Sequence, residues 1–443
     1  MPSLAELAFV AKSRTIKHRS GDYLRELLAH ERLTPAEVLT LQRERAASIA
    51  RFAAEQSPYY TRLLKDAGVD LDRIEEPAEW ARIPITDRAS LREHESEVLS
   101  AEATPRNAVV GLTGGSTGEP LRIRRDARVP LLALAWRMYR WWGIEPWDNL
   151  ARIGRWGFGR LDSVKSTLSW WPSSQVYLDA KYFDPASMAD FHRRLLRTRP
   201  ALLEGYVGAM VAFADFLDEH DLRVPSLRAI ATTAAPLTES VRQRLESVYG
   251  VPVYDEYRGS EVNWMAGECR EQNGLHIFAD ARMLEIVDEN GQPVPAGTLG
   301  DIVITDLANR VFPIIRYRLG DRGILREGPC PCGIGLPVME PVQGRTTDLI
   351  RLPGGGGSNH GIMGMFGNYP RAVRMFQVRQ ARDYSIEVLV VRGDEENAEE
   401  NIERVIEGFR RQLRDLVPVT IRYVDSLESP GGKLKYLVSE VDA

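Results

Sequence analysis

The sequence predicts an α/β chain, with a large domain of mixed sheets flanked by helices and a smaller α+β unit at the C-terminal end. Three observations carry this: a helical start, a strand–helix–strand unit mid-chain, and a strand–strand–helix–strand order beyond a glycine-rich break. The 443 residues exceed one ordinary domain and suit two or three.

Over residues 1–75, Val38, Leu41, Ile49 and Phe52, with Ala46 and Ala53, recur at helical spacing. Thr34 before Pro35 suits a cap with proline in the first turn. Pro58-Tyr59-Tyr60 breaks the pattern. Between residues 105 and 345, short apolar runs such as Ala108–Leu112 alternate with helical ones. Leu227–Thr233 reads as a strand, Glu239–Tyr249 as a helix closed by Gly250, and Val251–Asp255 as the next strand. That βαβ order requires a parallel or mixed sheet with helices on its faces. Glu289-Asn290-Gly291 reads as a hairpin turn. Leu352–Gly367 is a glycine-rich linker or loop. Strands at Val373–Arg379 and Ser385–Val391, a helix over Asn397–Leu416 and a strand at Val419–Val424 complete a unit of roughly 100 residues, a usual domain size.

A formal charge of -5, with Arg and acid alternating as in Arg43-Glu44-Arg45, argues against a nucleic-acid binder and reads as solvated helix faces. There is no apolar leader at the start and no run of 18 apolar residues, so neither a secretory signal nor a membrane span is expected. Three cysteines do not make a disulfide framework, which points to a reduced, cytoplasmic setting.

Thr113-Gly114-Gly115-Ser116-Thr117-Gly118-Glu119-Pro120 follows a strand. Glycines admit an anion close to backbone N–H groups, and the hydroxyls add donors. No Gly-Lys-Ser/Thr closes the loop, so it is not a P-loop; a Gly/Ser surface turn is the competing reading. The octapeptide resembles the phosphate loop of the adenylate-forming superfamily of acyl-CoA synthetases, adenylation domains and luciferases. Further resemblances follow in that family's order: Ala234-Ala235-Pro236, Tyr257-Arg258-Gly259-Ser260-Glu261, Tyr317-Arg318-Leu319-Gly320-Asp321, Gly344-Arg345-Thr346-Thr347-Asp348 and Gly432-Lys433. Six motifs in one order, spanning residues 113–433, are far more specific than any one. Pro58-Tyr59-Tyr60, Ile83-Pro84-Ile85-Thr86 and the Cys-x-Cys-Gly element resemble the phenylacetate–CoA ligase branch, with its capsular-polysaccharide and deazaflavin-coenzyme relatives.

The resemblance implies a large domain over 1–345, its first 100 residues helical, and a small mobile lid over 346–443 hinged at 346–350. It implies ATP, AMP and Mg²⁺ as ligands. Thr113, Gly114, Gly115, Ser116, Thr117 and Gly118 would hold phosphates. Ala235, Pro236, Glu256 and Tyr257 would line the adenine side, Asp321 would accept from the ribose hydroxyls, and Arg345 would contact the nucleotide. Glu261 would hold Mg²⁺. Lys433 would stabilise charge in the adenylation transition state, with Lys435 its rival by register. In isolation each has a plainer reading: a core Tyr, a turn Asp, a surface ion pair, a solvated Lys. The implied reaction is activation of a small acid as its AMP ester, then transfer to a thiol such as CoA. Transfer to an amine or carrier protein, activation of an oxyanion such as nitrite, and a non-catalytic nucleotide-binding descendant are the alternatives. A homodimer is a further expectation, as is the absence of nucleic-acid and membrane partners.

Cys269, His276, Cys330 and Cys332 are all the cysteines plus one histidine within 64 residues, a Cys₃His set suited to closed tetrahedral zinc. Some members of the branch hold such a zinc. The aromatic stretch Trp156, Phe158, Trp170, Trp171 and Tyr206 suits a flat substrate or a core. Arg152, Arg155 and Arg160 suit an anion or a solvated face. Arg258 stands where the family usually has Gly, either as a cation beside the substrate or pointing outward. Thr347-Asp348 replaces two acids. These departures bear on the second half-reaction more than on the first.

Overall fold

The computed structural model describes residues 2–112, 121–154, 167–180, 183–344, 350–353, 357–358, 365–366, 369, 371–413, 415–427 and 434–441. The chain forms two compact units, one of residues 1–9, 142–255 and 343–443, the other of 10–141 and 256–342. Among the described residues no helix is long and apolar enough to cross a membrane.

In the first unit the parallel strands Val253–Tyr257, Ala229–Thr233, Leu202–Tyr206, Leu150–Gly154 and Gln175–Asp179 lie side by side in that order. Apart from the edge strand Gln175–Asp179, whose residues are alternately half-buried, their near-continuous burial is that of a sheet covered on both faces. The helix Glu239–Tyr249 makes the crossover, capped by Thr238 and ended by Gly250 at φ 70°, a left-handed position that glycine occupies without strain. The predicted βαβ unit is thus present, the first strand starting two residues later and ending at Thr233 as read, the second displaced two residues towards the C-terminus. A four-stranded sheet also belongs to this unit: Val419–Tyr423, Ile386–Arg392, Val373–Gln380 and Leu437–Ser439, with the helix Ala398–Gln412. It shares one apolar core with the parallel sheet, from Phe213 and Leu245 through Phe376 to Ile402. Arg374 pairs with Asp215 at 2.5 Å, and Tyr436 donates to the Pro236 carbonyl at 3.2 Å.

The second unit opens with helices Val10–Arg14 (the end of Leu4–Arg14), His18–His30, Pro35–Gln56 and Pro58–Asp66. Thr34 and Glu37 close a reciprocal capping box. Pro58 ends one helical pattern and opens the next helix at once, because proline is favourable at a first position where its missing N–H costs nothing. An antiparallel sheet of Arg282–Val287, Leu299–Asp306 and Tyr317–Ile324 supplies the apolar wall against which Tyr60, Leu64, Ile83 and Leu91 pack. The predicted turn at 289–291 lies on the first of these connections, Gly291 donating to Asp288. The last two residues of Val253–Tyr257 pair with Ala266–Glu268, which pairs in turn with Leu275–Ile277 and that with Val338–Met339.

Candidate functional site

Two groups of predicted residues come together in the second unit. Tyr257 ends its strand with a buried ring, and its hydroxyl donates to Asp321 Oδ2 at 2.8 Å. Asp321 is not a turn residue. It lies within Tyr317–Ile324, where Asp301–Val303 of the neighbouring strand opposes Arg318–Arg322. The two extra residues make a bulge, and Gly320 takes φ 80° inside it. Bulges re-aim side chains, and this one turns Asp321 towards Tyr257.

Glu261 follows in the turn after that strand, which is closed by the Gly259 N–H donating to the Val262 carbonyl at 3.0 Å. Arg88 reaches its carboxylate at 3.6 Å. Arg88 is delivered by the Ile83–Asp87 segment, which docks as a β-bridge of Thr86 to Tyr317. The Thr86 N–H donates to the Arg316 carbonyl and the Arg318 N–H to the Thr86 carbonyl, each at 2.9 Å. Burial, with the Glu261 charge adding, pushes the Tyr317 phenol well up, so it remains a neutral donor. The sequence flagged Thr86 but not Arg88; a lone arginine in a charge-rich stretch carries no signal until the bridge is seen.

Glu256 and Arg258 lie on the opposite side of the strand from Tyr257, as alternation requires. Glu256 is fully buried, and Arg258 Nε sits 3.2 Å from its carboxylate. The Arg258 guanidinium also lies 5.8 Å from the Trp264 ring centre. Arg258 therefore does not point outward, and much of its charge is met by Glu256.

The first unit places Ala235 and Pro236 in the turn after Ala229–Thr233, where Ala234 takes φ 72°. Lys435 is exposed, and its carbonyl accepts from Gln377 at 2.9 Å. Arg152 is buried against Glu204 at 3.5 Å with the Trp170 ring 4.6 Å from its guanidinium carbon, so it is neither a solvated nor an open cation. Thr113, Gly114, Gly115, Ser116, Thr117, Gly118, Arg345 and Lys433 lie outside the described residues, as do Arg155, Trp156, Phe158 and Arg160.

The cysteine cluster assembles as the Cys₃His set predicts, although Cys330-x-Cys332 is tighter than the usual spacing of two to four residues. One ligand atom each from Cys269, His276, Cys330 and Cys332 lies within 4.8 Å of every other. Cys269 and Cys330 sulfurs are 3.7 Å apart, and Cys332 Sγ is 3.3 Å from His276 Nε2. A tetrahedron with metal–sulfur bonds of about 2.3 Å has sulfur–sulfur edges of about 3.8 Å, so the spacing fits zinc and not a disulfide. His276 Nδ1 donates to the Leu336 carbonyl at 3.2 Å, which fixes the tautomer and leaves Nε2 a free lone pair towards the sulfurs. Burial holds the His276 pKa down to about 4, so the ring is neutral near pH 7. Burial pushes the Cys269 and Cys332 thiols up; only a cation among them reverses that. Behind the cluster, Trp141 packs on His276 with ring centres 5.5 Å apart, and Arg137 pairs with Asp280 at 2.7 Å, both fully buried.

No family model matches the chain. Curated relatives match over most of its length. The phenylacetate–coenzyme A ligase of Thermus thermophilus is 25% identical, over 91% of this chain and 97% of the relative. That of Escherichia coli is 26% identical over 72% and 73%. These relatives, at 25–26% identity, support the resemblance to the phenylacetate–CoA ligase-like branch of the adenylate-forming superfamily. The fold agrees: a crystal structure of 2-hydroxyisobutyryl-CoA ligase in a postadenylation state superposes with TM-score 0.74 at 19% identity, covering 93% of this chain and 91% of the other.

Proposed function

We propose that this protein is an AMP-forming ligase that activates a small acid with ATP and passes the acyl group to a thiol such as CoA. The observation that carries the reading is the hydrogen bond from Tyr257 to Asp321, with Glu261 in the turn that follows the Tyr257 strand, in a chain similar over 91% of its length to a phenylacetate–coenzyme A ligase. Tyr257 stacks on adenine, and Asp321, held by the Tyr257 hydroxyl, accepts from the ribose hydroxyls. Glu261 would hold Mg²⁺, which when bound would supply positive charge against the phosphates. The acid carboxylate attacks the α-phosphorus in line, and catalysis is positioning plus electrostatics. Residues 113–118 cradle the phosphates, Arg345 contacts the nucleotide, and Lys433 meets the charge developing on the transferred group. Residues 346–443 act as the lid that rearranges between half-reactions.

Cys269, His276, Cys330 and Cys332 hold one zinc ion in a closed, structural shell. Four protein ligands leave no position for water, so the site takes no part in the chemistry.

The test is pyrophosphate release with ATP and Mg²⁺ across aryl acids, aliphatic acids, amino acids and nitrite, each with and without CoA. Release that depends on one acid, followed by CoA-dependent thioester formation, is the expected result. Acid-dependent release with no thioester would redirect the second step to an amine or carrier. Absence of release from every acid, with ATP still bound, would replace the ligase by a nucleotide-binding protein.

A further inference from the structure

Arg125 lies on the strand Arg122–Asp126, antiparallel to Ala108–Leu112 and opposite Val109. Its guanidinium rests over bare backbone: a Cβ on Gly111 would come within 3.4 Å of Arg125 Cζ. Nη2 donates to the Ser260 carbonyl at 2.8 Å, which holds the side chain beside Glu261. Its Nε is buried and has no hydrogen-bond partner among the described residues. Buried arginine donors are ordinarily satisfied, so this one is aimed at something that arrives.

The small cleft in front of it is lined by Arg125, Asp126, Glu261, Asn263, Asp306 and Asn309. Two of the three carboxylates are already matched. Asp126 pairs with Arg128 and Asp306 with Arg282, each at 2.7 Å. Glu261 is left for Arg88, at 3.6 Å, and for the Arg125 field. Burial pulls the Arg125 pKa down, and Glu261 opposes that. Once Glu261 turns to a divalent ion, both arginines lose part of their counter-charge. The anion that travels with such an ion here is a polyphosphate.

We infer that Arg125 is a pyrophosphate-binding residue: its guanidinium takes the β- and γ-phosphates of ATP and carries the charge of the departing pyrophosphate. The inference rests on the adenylation reading given above. In that step a bond forms between the carboxylate oxygen and the α-phosphorus, and the α–β bridging bond breaks. Its electron pair goes to the bridging oxygen of pyrophosphate, where a fixed donor in a water-poor cleft is most effective. A planar fork of donors matches phosphate oxygens better than an ammonium does.

The experiment is calorimetric titration of the full chain with Mg–ATP, Mg–pyrophosphate and AMP, in wild type, Arg125→Gln and Arg125→Lys. Arg125→Gln is expected to weaken ATP and pyrophosphate tenfold or more and to leave AMP within twofold, with Arg125→Lys intermediate. Equal weakening of AMP would make Arg125 a prop for the fold, and unchanged pyrophosphate affinity would remove it from the site; either overturns the inference. A wild-type protein that binds no Mg–ATP would instead bring down the adenylation reading.

Discussion

The second unit holds two polar clusters of opposite design. The cysteine cluster is closed: its donors face one another, its histidine tautomer is fixed from behind by Leu336, and its surroundings are aromatic. The Glu261 cluster is open. Its facing charges are loosely paired, Arg88 lying 3.6 Å from the Glu261 carboxylate. A cluster complete with one ion serves stability, whereas one complete only in itself while waiting serves exchange.

The largest expected effect breaks the closed side. Cys330→Ser, or zinc removal by a strong chelator, should lower the thermal midpoint by about 10 °C or more, since structural zinc contributes folding free energy directly. Elemental analysis should find one zinc per chain before treatment and none after. A metal-free protein with an unchanged midpoint would end the comparison. Glu261→Gln probes the open side. Adenylation should fall about 100-fold or more with the melting curve within about 1 °C, because the lost group acts on the reaction and not on the core.

A third change sharpens the closed side from behind. Burial alone would raise the Asp280 pKa, but Arg137 and His30 outweigh it and bring it down to about 2. The folded value lies below the unfolded one. The stabilisation is therefore present above about pH 4 and is lost as pH falls through about 2. Asp280→Asn should cost about 2 kcal/mol in urea unfolding at pH 7, and the gap to wild type should close on acidification. The smallest effect is on the open side. Tyr257→Phe removes one hydrogen bond to Asp321 and should raise the ATP KM about fivefold, roughly 1 kcal/mol, with kcat little changed.

Local pattern made much of this legible. Thr34-Pro35 and Gly250 each state a backbone requirement that only a few residue types meet, and each is met as read, while the Cys₃His set comes together despite its tight Cys330-x-Cys332 spacing. Strand starts moved by about two residues because apolar character begins before the ladder does, as at Leu227 and Val251. Asp321 read equally well as a turn residue, because the bulge that aims it is fixed by the pairing of the neighbouring strand and not by its own neighbours. Arg88 and Arg125 left no mark in the sequence. Their roles come from a β-bridge and a Ser260 carbonyl, contacts that span well over a hundred residues of chain.

The order in which the units take up the chain also sets a clock. The second unit needs residues 10–141 and 256–342, with 142–255 threaded between them. During synthesis at about 5–20 residues per second, its first helices are made on the order of ten seconds before the strands they pack on. Tyr60 and Leu64 spend that interval without their wall, and the cysteine–histidine set is complete only after it, when Cys330 and Cys332 follow Cys269 and His276. Newly made chains are therefore most exposed to misassembly before residue 332 is out, and supplying zinc earlier cannot shorten the wait.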